Sequence, residues 1–534
     1  MRRWSLALAL VPLLSLVLAV GFPWPASAQP KRGGTFRSVF QSDPPTLDPQ
    51  LASDTTSSAI IHQLFDGLVE LDEKLQIQPS IAEKWTVSPD QRVYTFSLRH
   101  GVKFQNGREV KAADFKYSLE RSAKGKTPWV VEKLLGAPEV IKGQGKEIRG
   151  IRVANDYTLE LTLERPFAPF LMLMAHDPAF VVPREEVERL GEKEFGSKPM
   201  GTGAFRFVSW RHDDQVVLEA FKDHFRGAPY LDRVVYRVIP DENTRFQEYK
   251  TGSLEVVDVP TGQFRAVQGD PGLSKQLYTW ANLGVYSLRF TMTQPPFKDN
   301  RKLRQALNHA VDKQAIANVI MEGSVLPAKG ILPPTMPGHN PEAAGYPYDK
   351  QKALKLLAEA GYPDGKGLPP ITLHYNTSGL HKRIVELVQA QLRDLGIPIQ
   401  VANLDWAAYL KLVEDGGTQW HRLGWLADYP DPENFLTVLF HSRNIGPPGN
   451  TARYANPEVD KLFDEADRLP AGPARLAKYR EAEKVLVEDA PWVFVYWYGT
   501  RLLQKPSVRG LEHSAMSTAP ELHKAPLRKV WLEP

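Results

Sequence analysis

The chain has 534 residues, no cysteine, 66 Lys and Arg against 62 Asp and Glu, and a formal net charge of +4. Disulfides, thiol chemistry and zinc–thiolate centres are excluded, and so even a charge balance gives no electrostatic footprint for nucleic acid or an anionic membrane. The length exceeds what one hydrophobic core supports, so several domains are expected.

At the N-terminus, Arg2 and Arg3 precede an apolar stretch over residues 6–20, and Ala26-Ser27-Ala28 has the small-x-small pattern of a cleavage site. This predicts an export signal over residues 1–28, cleaved near Ala28, and a periplasmic mature protein. The competing reading is a retained anchor, since no charge falls between Trp4 and Pro30. No later run is apolar for long enough to span a bilayer.

Residues 35–40 read as a strand and are followed by the turn-rich Ser42-Asp43-Pro44-Pro45-Thr46-Leu47-Asp48-Pro49. Ile60, Ile61, Leu64, Phe65 and Leu68 have helical spacing over residues 59–68. Alternation at Tyr94, Phe96 and Leu98, and again at Leu159, Leu161 and Leu163, predicts half-buried strands with a short helix between them at residues 112–121. Residues 230–259 read as strand, helix, strand. Asp299-Asn300 caps one amphipathic helix whose apolar face runs from Leu303 to Ile320, and Asp349 caps another, ended by Gly361. Residues 371–404 read as strand, helix, strand, a βαβ-type unit that makes at least this part of the chain α/β. Helices at residues 459–466 and 474–489 and a strand at 492–498 close the pattern.

One late stretch organises the rest. Residues 420–426 read as a strand, and Asp431-Pro432-Glu433 as a helix start with Asp431 at the N-cap and Pro432 at the first helical position. Asp428 lies between them. It belongs to neither element and is placed either to face a cleft or to serve as a turn aspartate satisfied by nearby amides.

Motifs of reaction chemistry are missing. Gly125-Lys126-Thr127 ends like a phosphate-binding loop, but Glu120 stands where the earlier glycine is required; Gly201-Thr202-Gly203 begins like a dinucleotide fingerprint, but position 206 is Arg. There is no G-x-S-x-G elbow, and the 13 His show neither H-E-x-x-H nor another ligand spacing. No catalytic residue, metal or cofactor is expected, and the chain does not read as an enzyme.

Several stretches in order resemble the extracytoplasmic solute-binding proteins of peptide ABC transporters, the dipeptide/oligopeptide-binding family (solute-binding protein family 5). They include Ile81-Ala82-Glu83-Lys84-Trp85, Tyr94 to Arg99, Gly101-Val102-Lys103-Phe104, Pro199-Met200-Gly201-Thr202-Gly203, Arg304-Gln305-Ala306-Leu307, and Tyr454-Ala455-Asn456-Pro457-Glu458-Val459-Asp460. The resemblance implies a two-lobed α/β clamp with a hinge and an extra β-rich domain inserted in the first lobe. Placed on this chain, lobe I is residues 29–75, 198–283 and 505–534, the insert is 76–197, and lobe II is 284–504. It further implies a monomer that captures a peptide between the lobes and delivers it to the membrane permease and ATPase subunits of an ABC importer, with no nucleic-acid partner.

The family's G-W-x-x-D aspartate, which pairs with the ligand's α-ammonium, falls on Asp428. An ammonium sealed from water needs such a partner. The backbone at Gly424, Trp425 and Leu426 would hold the peptide as an added strand, with Ser53, Asp54 and Thr55 on the facing side. Trp406 matches a pocket aromatic, against a core tryptophan. Arg422 has the fork geometry for a ligand carboxylate, against a solvated arginine at a strand end. Relatives of the same fold that take nickel chelates, opines or oligosaccharides keep the ligand class open, as do a secreted hydrolase with an unrecognised site and a receptor that feeds no permease.

Overall fold

A computed structural model describes residues 30–446, 449–522 and 524–533; the expected export signal lies outside them. No helix among the described residues is long and apolar enough to cross a membrane.

Three larger sheets carry a two-lobed α/β clamp. The first has the strand order Thr35–Phe40, Arg233–Val238, Gln215–Ala220, Phe205–Arg211. Its first pair is parallel and the others antiparallel. The second, antiparallel, has the order Ala82–Val87, Val93–Leu98, Thr158–Thr162, Ile151–Asn155. Here the predicted alternation is visible: Tyr94, Phe96, Leu98, Leu159 and Leu161 are buried, while the residues between them are half exposed.

The third sheet runs Val256–Asp258, Trp492–Gln504, Leu277–Phe290, Trp420–Leu426, Ile371–Asn376, Ile399–Leu404, with Leu326–Pro327 also on Trp492–Gln504. The strand–helix–strand unit closes as expected, with Ile371–Asn376 and Ile399–Leu404 parallel across the helix Gly379–Arg393. Leu277–Phe290 and Trp492–Gln504 are long antiparallel partners. Near Gln504 they lie beside Val256–Asp258, and at the other end they support Trp420–Leu426. Their register slips between the pairs Ala281–Gly499 and Val285–Trp497, and such a bulge locally bends a ladder.

Local chemistry corrects some element boundaries. The helix expected over residues 59–68 is Thr55–Leu64, because the Asp54 side chain accepts from the Thr56 and Ser57 amides and Phe65 is extended. The single helix expected from Leu303 to Ile320 is broken. Arg301–Ala310, capped by Asn300, stops where Val311 turns extended, and Asp312 caps a new start by accepting from the Ala315 amide. Apolar spacing continues across the break and hides it; Asp312 was its only local mark.

The turn-rich stretch before Thr55–Leu64 is anchored from beneath. Asp48 is fully buried and pairs with Arg121 of the helix Ala112–Ser122, whose Nη1 donates to Asp48 Oδ1 and Gln50 Oε1, both at 2.6 Å. This pair fixes the approach of residues 48–54 to the cleft. Truncating one member of a buried pair strands the other charge, at about 3–5 kcal/mol. Arg121→Ala is therefore expected to lower unfolding free energy by that amount in urea denaturation, and a loss under about 1 kcal/mol would show the pair to be dispensable.

Candidate functional site

The Trp420–Leu426 strand pairs along its whole length with Leu277–Phe290, from Trp420 opposite Phe290 to Leu426 opposite Gly284. On its other side Ile371–Asn376 pairs only at Trp420 and His421. Residues 422–426 therefore have a strand partner on one side alone, and their free edge faces a cavity of about 160 Å³ between the lobes. Edge amides and carbonyls of this kind accept an added strand. Glycine at 424 has a steric reason: a Cβ there would collide with the Tyr498 hydroxyl.

That cavity brings together every residue the sequence singled out: Ser53, Asp54, Thr55, Trp406, Arg422, Gly424, Trp425, Leu426 and Asp428 all line it. Ser53, Asp54 and Thr55 do face the strand edge, but as a loop and helix start rather than an extended segment. Burial raises the Asp54 carboxyl above its usual range. Trp406 is the first residue of the helix Trp406–Glu414, is half-buried, and points its Nε1 at Asp54 Oδ1 across the cleft at 3.4 Å.

Asp428 follows the strand at one end of the cavity. Its amide donates to Asn434 Oδ1 at 3.0 Å, and its Oδ2 accepts from Asn434 Nδ2 at 3.0 Å. Trp425 Nε1 donates to the same Asn434 oxygen at 3.1 Å, so one buried asparagine orients the whole segment. Oδ1 accepts no hydrogen bond among the described residues; its nearest partner is His176 Nε2 at 3.6 Å, beyond hydrogen-bond range. His176 stacks on Trp129, and burial depresses its pKa despite the Asp428 and Asp177 carboxylates. Lys524 donates to the Asp428 carbonyl at 2.5 Å, and its pKa is also depressed by burial.

Arg422 is buried, which removes the reading of a solvated strand end. Its Nη1 donates to Asn376 Oδ1 at 3.2 Å, its Nη2 to the Tyr498 hydroxyl at 2.7 Å, and the guanidinium lies 4.5 Å from the Tyr286 ring centroid. Its Nε has no partner, and no carboxylate lies within ion-pair distance among the described residues. His176, Asp177, Lys524 and Tyr498 were missed by sequence reasoning. They come from the insert, the C-terminal segment and the crossing strand, and no local motif marks them.

Asp431 does cap Pro432–Phe435, accepting from the Glu433 amide, but it also holds the buried Arg475 through two bonds of 2.8 Å. Two neighbouring aspartates thus have separate roles. Asp431→Asn keeps a capping oxygen yet strands Arg475, and should cost about 3–5 kcal/mol of stability. Asp428→Asn breaks no close ion pair and should change stability by less than about 1 kcal/mol. Chemical denaturation of both variants checks this, and equal losses would contradict the division of labour.

The lobes touch across the cleft. Gln41 donates to the Thr377 carbonyl at 3.0 Å, Lys126 pairs with Glu414 at 2.6 Å, and Arg383 with Glu242 at 3.3 Å. Comparison with solved structures agrees with this closed arrangement. The murein tripeptide-binding protein MppA of Escherichia coli superposes with a TM-score of 0.85 at 28% identity, over 94% of this chain and 98% of that one. The unliganded open form of MppA, also 28% identical and over 94% of this chain and 97% of that one, reaches only 0.64. The lobes here stand as in the former. Among curated relatives, heme-binding protein A of Haemophilus influenzae is 33% identical over 87% of each chain. The dipeptide-binding protein of Escherichia coli is 30% identical over 88% of this chain and 90% of its own. The profile of the bacterial extracellular solute-binding proteins, family 5 Middle, matches residues 76–447. With that match on a two-lobed fold and an interlobe cavity, the chain belongs to the family 5 extracellular solute-binding proteins.

Proposed function

We propose that this protein captures peptides between its lobes and delivers them to the permease and ATPase subunits of an ABC importer, without chemical turnover. The observation that carries this reading is Asp428 Oδ1, which lines the cavity and among the described residues has no hydrogen-bond donor, at the end of a strand whose outer edge has no strand partner over residues 422–426. An extended peptide satisfies both features. Its α-ammonium meets the carboxylate, and its backbone pairs with Gly424, Trp425 and Leu426, leaving side-chain preference to Trp406, Arg422 and Ser53 to Thr55. Burial lowers the His176 pKa, which disfavours a charged imidazole competing with the ammonium for that carboxylate.

The names of the relatives support the reading through a dipeptide-binding and a murein tripeptide-binding protein. The heme-binding relative is the contrasting case; the anionic propionates of a porphyrin would set like charge against Asp428. We place the hinge at the register slip in the paired strands Leu277–Phe290 and Trp492–Gln504. Lobe I then spans residues 29–75, 198–283 and 505–534, the insert 76–197, and lobe II 284–504. The protein works as a monomer outside the cytoplasm, freed of residues 1–28.

Asp428→Asn removes the charge and keeps the size. Losing one partner of a desolvated charge pair costs about 2–5 kcal/mol, roughly 30- to several-thousand-fold in affinity. N-acetylation of the peptide should weaken wild-type binding similarly and add little to the Asp428→Asn loss, because both changes delete one pair. Calorimetric titration of both proteins with free and acetylated tri-alanine and tetra-alanine closes the cycle. Undiminished binding of both forms by Asp428→Asn would overturn the assignment.

A further inference from the structure

Beyond Arg422 the cleft opens again. A second cavity of about 230 Å³ shares Thr55, Trp406, Arg422, Leu426 and Tyr498 with the first, so the two compartments adjoin across these residues. Arg422 is already held by Asn376 and Tyr498 and forms the neck between them rather than the end of the site.

Most charges around the second cavity are satisfied within the protein. Arg245 grips both oxygens of Asp258 at 2.9 and 2.7 Å and spends its Nη1 on the Ile239 and Pro240 carbonyls. Glu242 Oε2 accepts from the Thr261 amide and hydroxyl, and its Oε1, which makes no hydrogen bond, lies 3.3 Å from Arg383 Nη2 as an ion pair. Two groups differ. Arg501, on the crossing strand Trp492–Gln504, has a buried Nη1 without a partner and, among the described residues, no carboxylate within ion-pair distance. Glu521, on the C-terminal segment, lines the same cavity and among the described residues makes no side-chain hydrogen bond or ion pair.

Burial pushes the Glu521 carboxyl up to about 7, with Asp258 and Asp54 adding to the rise and Arg245 opposing it. Burial likewise lowers the Arg501 pKa. One cavity therefore holds a half-buried acid and a half-buried base that are not paired with each other, and among the described residues neither makes a side-chain hydrogen bond or ion pair. Keeping such groups in a fold is unfavourable unless something else supplies their partners.

We propose that this second compartment receives the C-terminal residue of the captured peptide and selects a basic one, with the terminal carboxylate on Arg501 and the side-chain ammonium or guanidinium on Glu521. The inference rests on the reading that the peptide's N-terminus lies at Asp428 and its chain runs along residues 424–426 toward Arg422. A lysine or arginine at the end supplies both missing partners at once. An apolar end leaves Glu521 without a partner, and an acidic one sets two like charges together. The free strand edge reads every backbone alike, so this compartment adds a second side-chain preference to the one set around Trp406 and Ser53 to Thr55.

The test uses alanine peptides of increasing length ending in Lys, Leu or Glu, titrated calorimetrically into wild type, Glu521→Gln and Arg501→Gln. Once a peptide is long enough to pass Arg422, the Lys-ended member should bind about tenfold or more tighter than the Leu-ended one. That preference should vanish in Glu521→Gln. Amidation of the C-terminus should weaken wild type and change little in Arg501→Gln. Each preference is a ratio within one protein, so a change in stability cancels, and the wild-type series stands alone if a variant fails to fold. Equal affinity for all three ends at every length, with N-acetylation still weakening them all, would overturn the C-terminal assignment and leave Asp428 in place. A Lys preference that survives in Glu521→Gln would overturn it as well. Failure of every peptide to bind wild type would overturn both readings.

Discussion

The structure turns on charge held out of water without a partner. Among the described residues Asp428 keeps one carboxylate oxygen without a hydrogen bond at the end of an open strand edge, while Arg422, buried beside the same strand, is held by the neutral Asn376 and Tyr498. A half-buried carboxylate of this kind is best satisfied by a counter-charge that arrives with the ligand, because a desolvated ion without a partner is disfavoured. The surrounding elements hold that arrangement in place. Asn434 fixes the Asp428 segment through three hydrogen bonds, Arg475 secures Asp431 so that the following helix starts where it does, and the absence of a Cβ at Gly424 leaves room for Tyr498 to reach Arg422.

Two of the ion pairs that span the cleft are weak by comparison. Lys126 with Glu414 and Arg383 with Glu242 each have one side chain more than two-fifths exposed, and such pairs contribute about 0–1 kcal/mol. The segment that carries Lys126 also sets Glu132 3.1 Å from Arg443 and the buried Lys133 beside Asp467, and shares an apolar cluster in which Val130 and Leu134 lie with Tyr429 and Leu436. These contacts shape the closed form. A ligand that binds only the closed form then controls the equilibrium by mass action, as the hinge-closure class of transition requires.

Much of this was legible before any coordinates. The strands Thr35–Phe40 and Trp420–Leu426 have the expected ends, because a turn signal bounds each hydrophobic run. Residues 371–404 close as the expected parallel unit, and Asp428 falls at the cleft because it belongs to neither the strand before it nor the helix after it. Some features were hidden for physical reasons. Apolar periodicity runs through Val311 and conceals the helix break there. The burial of Arg422 depends on Asn376, Tyr286 and Tyr498, which are far away in sequence. His176, Lys524, Arg501 and Glu521 reach the cleft only because the insert, the C-terminal segment and the crossing strand return to it, and no local pattern encodes that return.

The central claim is that the cleft is built for a peptide with a free N-terminus. The most direct measurement is native mass spectrometry of the protein purified from its own cells without added ligand, followed by sequencing of whatever is released. A set of peptides of varied sequence, all with unmodified α-amino groups, is expected. A single non-peptide solute, a porphyrin or sugar for example, or peptides blocked at the N-terminus, would contradict it.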